Sequence, residues 1–165
     1  MYPTRRTLCF SLLLALLPPL EAGQARRAER TPNPIAADRA NLSYGPHKNN
    51  GLDLWLAKSA TPTPLIVFIH GGGFVGGDKG TANPAFVRRA LASGVSYAAI
   101  NYRFRGDAPI QDILRDCARA IQYLRYRAKE FNIDKSRVAA MGGSAGAGTS
   151  LWLAFHDDLA DAANP

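Results

Sequence analysis

Three short apolar runs govern how this chain can fold. Leu65-Ile66-Val67-Phe68-Ile69, Val95 to Ile100 and Val138 to Met141 lack polar alternation, as strands covered on both faces must. Helical segments separate them. Asn83 can cap a helix whose first residue is Pro84, with Phe86, Val87, Ala90 and Leu91 turned inward and Gly94 ending it. Behind Pro109, the residues Ile110, Ile113, Leu114, Cys117, Ile121, Leu124, Ala128 and Phe131 recur at helical spacing, with Asn132 as a left-handed cap. Strand, helix, strand, helix, strand predicts an α/β fold, a mostly parallel sheet with crossover helices. Upstream, a short strand is expected around Leu42 to Gly45. After the Asn49-Asn50-Gly51 turn, Leu52, Leu54 and Leu56 alternate with Asp53, Trp55 and Ala57, as in a half-exposed antiparallel strand.

The third buried run leads directly into Gly142-Gly143-Ser144-Ala145-Gly146, a G-x-S-x-G motif at a strand-to-helix junction. A nucleophilic serine needs a sharp, strained turn so that its hydroxyl stands clear of the sheet. Gly142 and Gly146 then relieve the close approach of strand and helix. The helix N-terminus behind it favours developing negative charge. A glycine-rich phosphate cradle competes with this reading, but the run around Ser144 has neither a dinucleotide fingerprint nor a Walker lysine.

A second constellation follows the first buried run. In His70-Gly71-Gly72-Gly73-Phe74, consecutive glycines let backbone N–H groups approach an oxyanion. The N–H of Ala145, next to Ser144, is the complementary donor. His70 is expected to pin this loop by hydrogen bonds, not to act as a general base.

Together with Gly76-Gly77-Asp78-Lys79 and Asn101-Tyr102-Arg103, these motifs resemble the α/β-hydrolase superfamily. The nearest branch is that of esterases and lipases with an H-G-G-G oxyanion loop, hormone-sensitive-lipase-like and feruloyl-esterase-like enzymes among them. The resemblance covers Leu42 to Asp161. It implies a Ser-His-Asp triad hydrolysing carboxylic esters, with no cofactor and no metal. Ser144 would be the nucleophile, and Gly72, Gly73 and Ala145 would carry the oxyanion-hole N–H groups. His70, Gly71, Gly142 and Gly146 would be structural members of the motifs, with Asp78 and Lys79 as loop scaffolding. The substrate would be a small-molecule or polysaccharide-linked ester.

In this fold the triad runs Ser, then Asp or Glu, then His. After Ser144, His156 precedes Asp157, Asp158 and Asp161, the wrong order. On a continuing helix, His156 would lie ~18 Å along the axis from Ser144. Residues 42–165 therefore read as the N-terminal portion of a hydrolase domain, a truncated copy lacking its acid and base. Such a product is expected to be poorly soluble and nearly inactive, because its elbow strand would be an open sheet edge. Two alternatives remain: an amidase or peptidase of the same fold, and a non-catalytic binding protein.

The N-terminus resembles a secretory signal peptide. Arg5 and Arg6 precede a ten-residue apolar stretch, Leu8 to Leu17, followed by Pro18-Pro19 and the small residues Ala22, Gly23 and Ala25. Residues 1–25 are read as the signal, whose adjacent Arg5 and Arg6 also fit the twin-arginine type, and residues 26–41 as a linker. Export to the periplasm or beyond is the expectation. Cleavage removes Cys9 and leaves Cys117 alone, so neither an intramolecular disulfide nor a multi-cysteine metal site can form. With 47% hydrophobic residues, the chain is neither disordered nor collagen-like, and no run reaches the ~20 apolar residues of a membrane span. The net charge of +7 raises the question of nucleic acid. No binding motif accompanies it, however, and Arg115, Arg119, Arg125, Arg127 and Lys129 read as one solvated helix face.

Overall fold

The computed structural model describes residues 34–156. The predicted signal peptide and the first part of the linker lie outside the described residues. Five strands, β1 (Arg39–Ser43), β2 (Gly51–Trp55), β3 (Thr63–Ile69), β4 (Ser96–Ile100) and β5 (Ile133–Gly142), form one sheet in the order β1-β2-β4-β3-β5. β3 runs parallel to both β4 and β5, whereas β2 is antiparallel to β1 and β4. Helices α1 (Pro84–Ala92), α2 (Ile110–Tyr126) and α3 (Ala145–Phe155) follow β3, β4 and β5. The predicted α/β class and mostly parallel core are what the structure has.

Alternation along β3 splits the core in two. Leu65, Val67 and Ile69 join Ile113, Cys117, Ala120 and Leu124 of α2 on one face. Ile66 and Phe68 join Val87 and Ala90 of α1, with Trp55 and Tyr97, on the other. Asn83 caps α1 by accepting a hydrogen bond from the Ala85 N–H, and Gly94, at φ +72°, turns the chain into β4.

Four expectations are corrected. β1 begins at Arg39, so the predicted linker reaches three residues into the sheet. A register shift between Arg39 and Leu42, with Asn41 at φ +55°, hides its period-2 pattern. β2 is not half-exposed: Trp55 is buried on the face opposite Leu52 and Leu54, its indole N–H donating to the Ile35 carbonyl. Phe86 and Ile110 face outward although they fall at helical spacing. Finally, β5 is longer and more exposed than a strand covered on both faces. It is the edge of the sheet among the described residues, and Ala139 lies open to solvent. Its pairing with β3 jumps from Thr63↔Ile133 to Leu65↔Val138, so residues 134–137 bow out of the ladder. Asp134 holds that bow, accepting from the Ser136 N–H and the Arg137 guanidinium at 2.9 and 2.6 Å.

Candidate active site

β3 and β5 are adjacent and parallel, so the segments that follow them emerge side by side at one end of the sheet. That is where open parallel sheets place their sites. Ser144 stands between β5 and α3 with φ +53° and ψ −120° and is exposed. A non-glycine residue held there costs ~1–3 kcal/mol, which the surrounding packing must offset. The glycines beside it explain how the turn is closed. A Cβ on Gly142 would lie 2.3 Å from the Ile69 carbonyl oxygen, and one on Gly146 2.0 Å from the same atom. Neither position accepts a side chain, so α3 can start against the end of β3. Ala145 opens α3, where first-turn N–H groups have no intrahelical acceptor.

The loop after β3 lies against this turn. A Cβ on Gly71 would come within 2.8 Å of the Gly143 carbonyl oxygen and 3.5 Å of Ser144 Cβ. Gly72 and Gly73 adopt φ +118° and +59°, and Gly72 leaves no room for a Cβ beside the Gly76 carbonyl. Neither amide of Gly72 and Gly73 has a hydrogen-bond acceptor among the described residues. The structure thus sets Gly71 against the turn formed by Gly142, Gly143, Ser144, Ala145 and Gly146, with Gly72 and Gly73 next in the same loop. Gly71, Gly73 and Gly76 also fall at dinucleotide-fingerprint spacing, but they lead into a 3-10 turn, Lys79–Thr81, and open no helix.

His70 is buried beneath the loop, its Nδ1–H donating to the Gly71 carbonyl at 2.7 Å. Its ring stacks on Tyr102 at 4.2 Å, and the Tyr102 hydroxyl donates to the His70 carbonyl at 2.7 Å. Burial pushes the Tyr102 phenol up, so that hydroxyl keeps its proton. His156 ends α3 stacked on Trp152, and His47 sits in the β1–β2 turn, where its Nδ1 meets the Asn49 N–H. Among the described residues no imidazole hydrogen-bonds to Ser144.

The motif residues Asp78, Lys79, Asn101 and Arg103 have partners that sequence reasoning did not supply. Asn101 accepts from the Lys79 N–H at 2.5 Å and donates to Asp78 at 3.1 Å. Its N–H donates to Gly51, and its carbonyl accepts from the Tyr44 hydroxyl. One residue therefore ties the Asp78-Lys79 loop to β2 and the β1–β2 turn. Lys79 also pairs with Asp53 at 2.6 Å. Buried Asp116 takes the Arg103 guanidinium through two 2.8 Å bonds, and this pairing raises the Arg103 pKa further. The available signal was an acid inside the apolar stripe of α2, beside Ile113 and Cys117.

Comparison with known proteins places the chain in a family. The BD-FAE family model matches residues 52–163. The probable isoprenylcysteine alpha-carbonyl methylesterase ICMEL1 of Arabidopsis thaliana is 31% identical over 110 residues, covering 66% of this chain and 23% of that protein. Esterase LipC of Mycobacterium tuberculosis is 29% identical over 127 residues, 72% of this chain and 32% of that one. Among solved structures, a truncated form of a carbohydrate esterase from gut microbiota superposes with a TM-score of 0.63 at 27% identity, covering 68% of this chain and 41% of that one. The chain thus spans roughly a quarter to a third of the curated relatives it matches. With the matched region running from β2 through Ser144 and beyond, the chain belongs to the BD-FAE family of α/β-hydrolases.

Proposed function

We propose that Ser144 is the nucleophile of a carboxylesterase-type serine hydrolase. One observation carries the reading: an exposed serine at φ +53° lies against a glycine loop whose Gly72 and Gly73 amides have no acceptor among the described residues. In this mechanism the Ser144 hydroxyl attacks an ester carbonyl, and Gly72, Gly73 and Ala145 donate N–H groups to the oxyanion. The alcohol then leaves, and water releases the acid from the acyl-enzyme. One such donor is worth ~3–4 kcal/mol of transition-state stabilisation. His70 holds the loop and takes no proton. Among the described residues no side chain is placed as the general base or its acid, and the chain spans roughly a quarter to a third of its curated relatives.

The names of the relatives support an ester, either a small molecule or one linked to carbohydrate. A leader of the signal-peptide type supports export toward such a substrate. The test is hydrolysis of an activated aryl acetate, with imidazole supplied as a surrogate base. Ser144→Ala should lower the rate above the imidazole background by about a hundredfold or more. The missing histidine contact favours one second reading, a non-catalytic binding protein. In that case Ser144→Ala would leave ester affinity intact, and the parent would show no turnover above background.

A further inference from the structure

At the far end of the sheet from Ser144, a groove of about 530 Å³ is lined by Thr61 and Pro62 before β3, the end of α2, and the start of β5. In the register with β3, six residue steps, ~20 Å, separate the start of β5 from its end at the elbow. Four cations converge on it. Arg125 lies near the end of α2, Lys129 in the turn beyond it, and Lys135 and Arg137 on the bow of β5. Asp134 is the acid in the lining, and Arg137 occupies it at 2.6 Å. Arg125, Lys129 and Lys135 are exposed and have no ion-pair partner among the described residues. The negative end of the α2 dipole accounts for a cation at Arg125 or Lys129 but not for Lys135 on β5. In the sequence Arg125 and Lys129 belong to one helix face. The fold instead sets them across a groove from cations of another element.

We propose that this groove docks an anionic polysaccharide, a chain bearing carboxylate or sulfate groups, independently of the chemistry at Ser144. Exposed Tyr126 on its wall offers one ring face to a sugar. Single-stranded nucleic acid would need successive aromatic platforms, and among the described lining residues Tyr126 is the aromatic one. Binding at such a site is electrostatic and weakens as salt rises.

The test is retention of the 165-residue chain on immobilised polygalacturonate and on immobilised heparin at low ionic strength. The parent is expected to bind at least one of them and to elute with salt; which one it prefers tells carboxylate from sulfate. Lys129→Glu with Lys135→Glu should weaken binding by about tenfold or more. Arg88→Glu with Arg89→Glu on α1 makes the same change in net charge away from the groove and should stay within about twofold. Arg125→Glu, on the α2 side beside Lys129, should weaken binding in the same direction, so the conclusion does not hang on one variant's folding. The proposal is overturned if neither matrix retains the parent or if both charge-reversed pairs weaken binding equally. Single-stranded DNA displacing the protein more effectively than either polysaccharide would also overturn it.

Discussion

The two glycine-rich segments that meet at the site are built on opposite terms. The loop after β3 is braced from beneath by His70 and Tyr102 and from the side by Asn101, Asp78 and Lys79, most of them buried or half-buried. The helix after β5 is anchored by Gly146 and Thr149 alone among its fully buried residues, and Leu151, Trp152 and Phe155 are exposed. The loop after β3 is therefore held by its own neighbours. The segment that begins at Ser144 is held at its first turn and is otherwise an apolar helix beside a strand that is the sheet edge among the described residues. Preorganisation here depends on backbone contact between the halves, with the Ile69 carbonyl as the point where both converge.

That contact supplies the largest expected effect. Gly146→Ala forces a methyl to 2.0 Å from the Ile69 carbonyl oxygen and should cost about 3 kcal/mol or prevent folding, read by urea or thermal unfolding. Gly148→Ala, one turn edge away with nothing within 4 Å, should instead stabilise α3 by up to about 1 kcal/mol. Equal losses at the two positions would break the comparison.

Next comes the bracing of the other half. Asp116→Ala strips the Arg103 guanidinium of its two-bond partner. Because the Arg103 side chain is 27% exposed, the cost should be about 2 kcal/mol, below that of a fully buried pair. A chemical-denaturation midpoint measures it.

High pH should act on the same half. Burial raises the Tyr97 phenol to about 12 and pushes Tyr44 and Tyr102 up as well. Groups with a raised folded pKa contribute stability that is complete below their unfolded value near 10 and is lost as pH climbs through the folded one. Ionised Tyr44 and Tyr102 could no longer donate to the Asn101 and His70 carbonyls. Unfolding monitored by tyrosinate absorbance should therefore show stability falling between about pH 10 and 12. The smallest effect belongs to the outer face of α3. Leu151→Lys with Phe155→Glu should change stability by less than about 0.5 kcal/mol while reducing aggregation seen by light scattering.

What could be read from the sequence follows the same division. Gly142, Gly146 and the φ of Ser144 are consequences of a strand turning at once into a helix, so local order disclosed them. The apolar stripe of α2 disclosed one face of the core. Asn101 and Arg103 stood out as motif residues, but what they hold was hidden, because their partners come from distant segments and a hydrogen bond leaves no periodicity. The start of β1 was masked by the irregularity at Asn41. Phe86 and Ile110 misled because spacing fixes a helical face only when something packs against all of it. The edge position of β5 was foreseen from topology, but the bow at residues 134–137 was not, since it depends on the pairing register with β3.

The most direct measurement of the central claim is the site of acyl transfer. The chain would be exposed to an activated aryl acetate with imidazole present, digested, and mapped by mass spectrometry. The account predicts an acetyl group on Ser144 that depends on imidazole and is absent from Ser144→Ala. Acetylation confined to lysines, or identical adduct patterns in parent and variant, would contradict it.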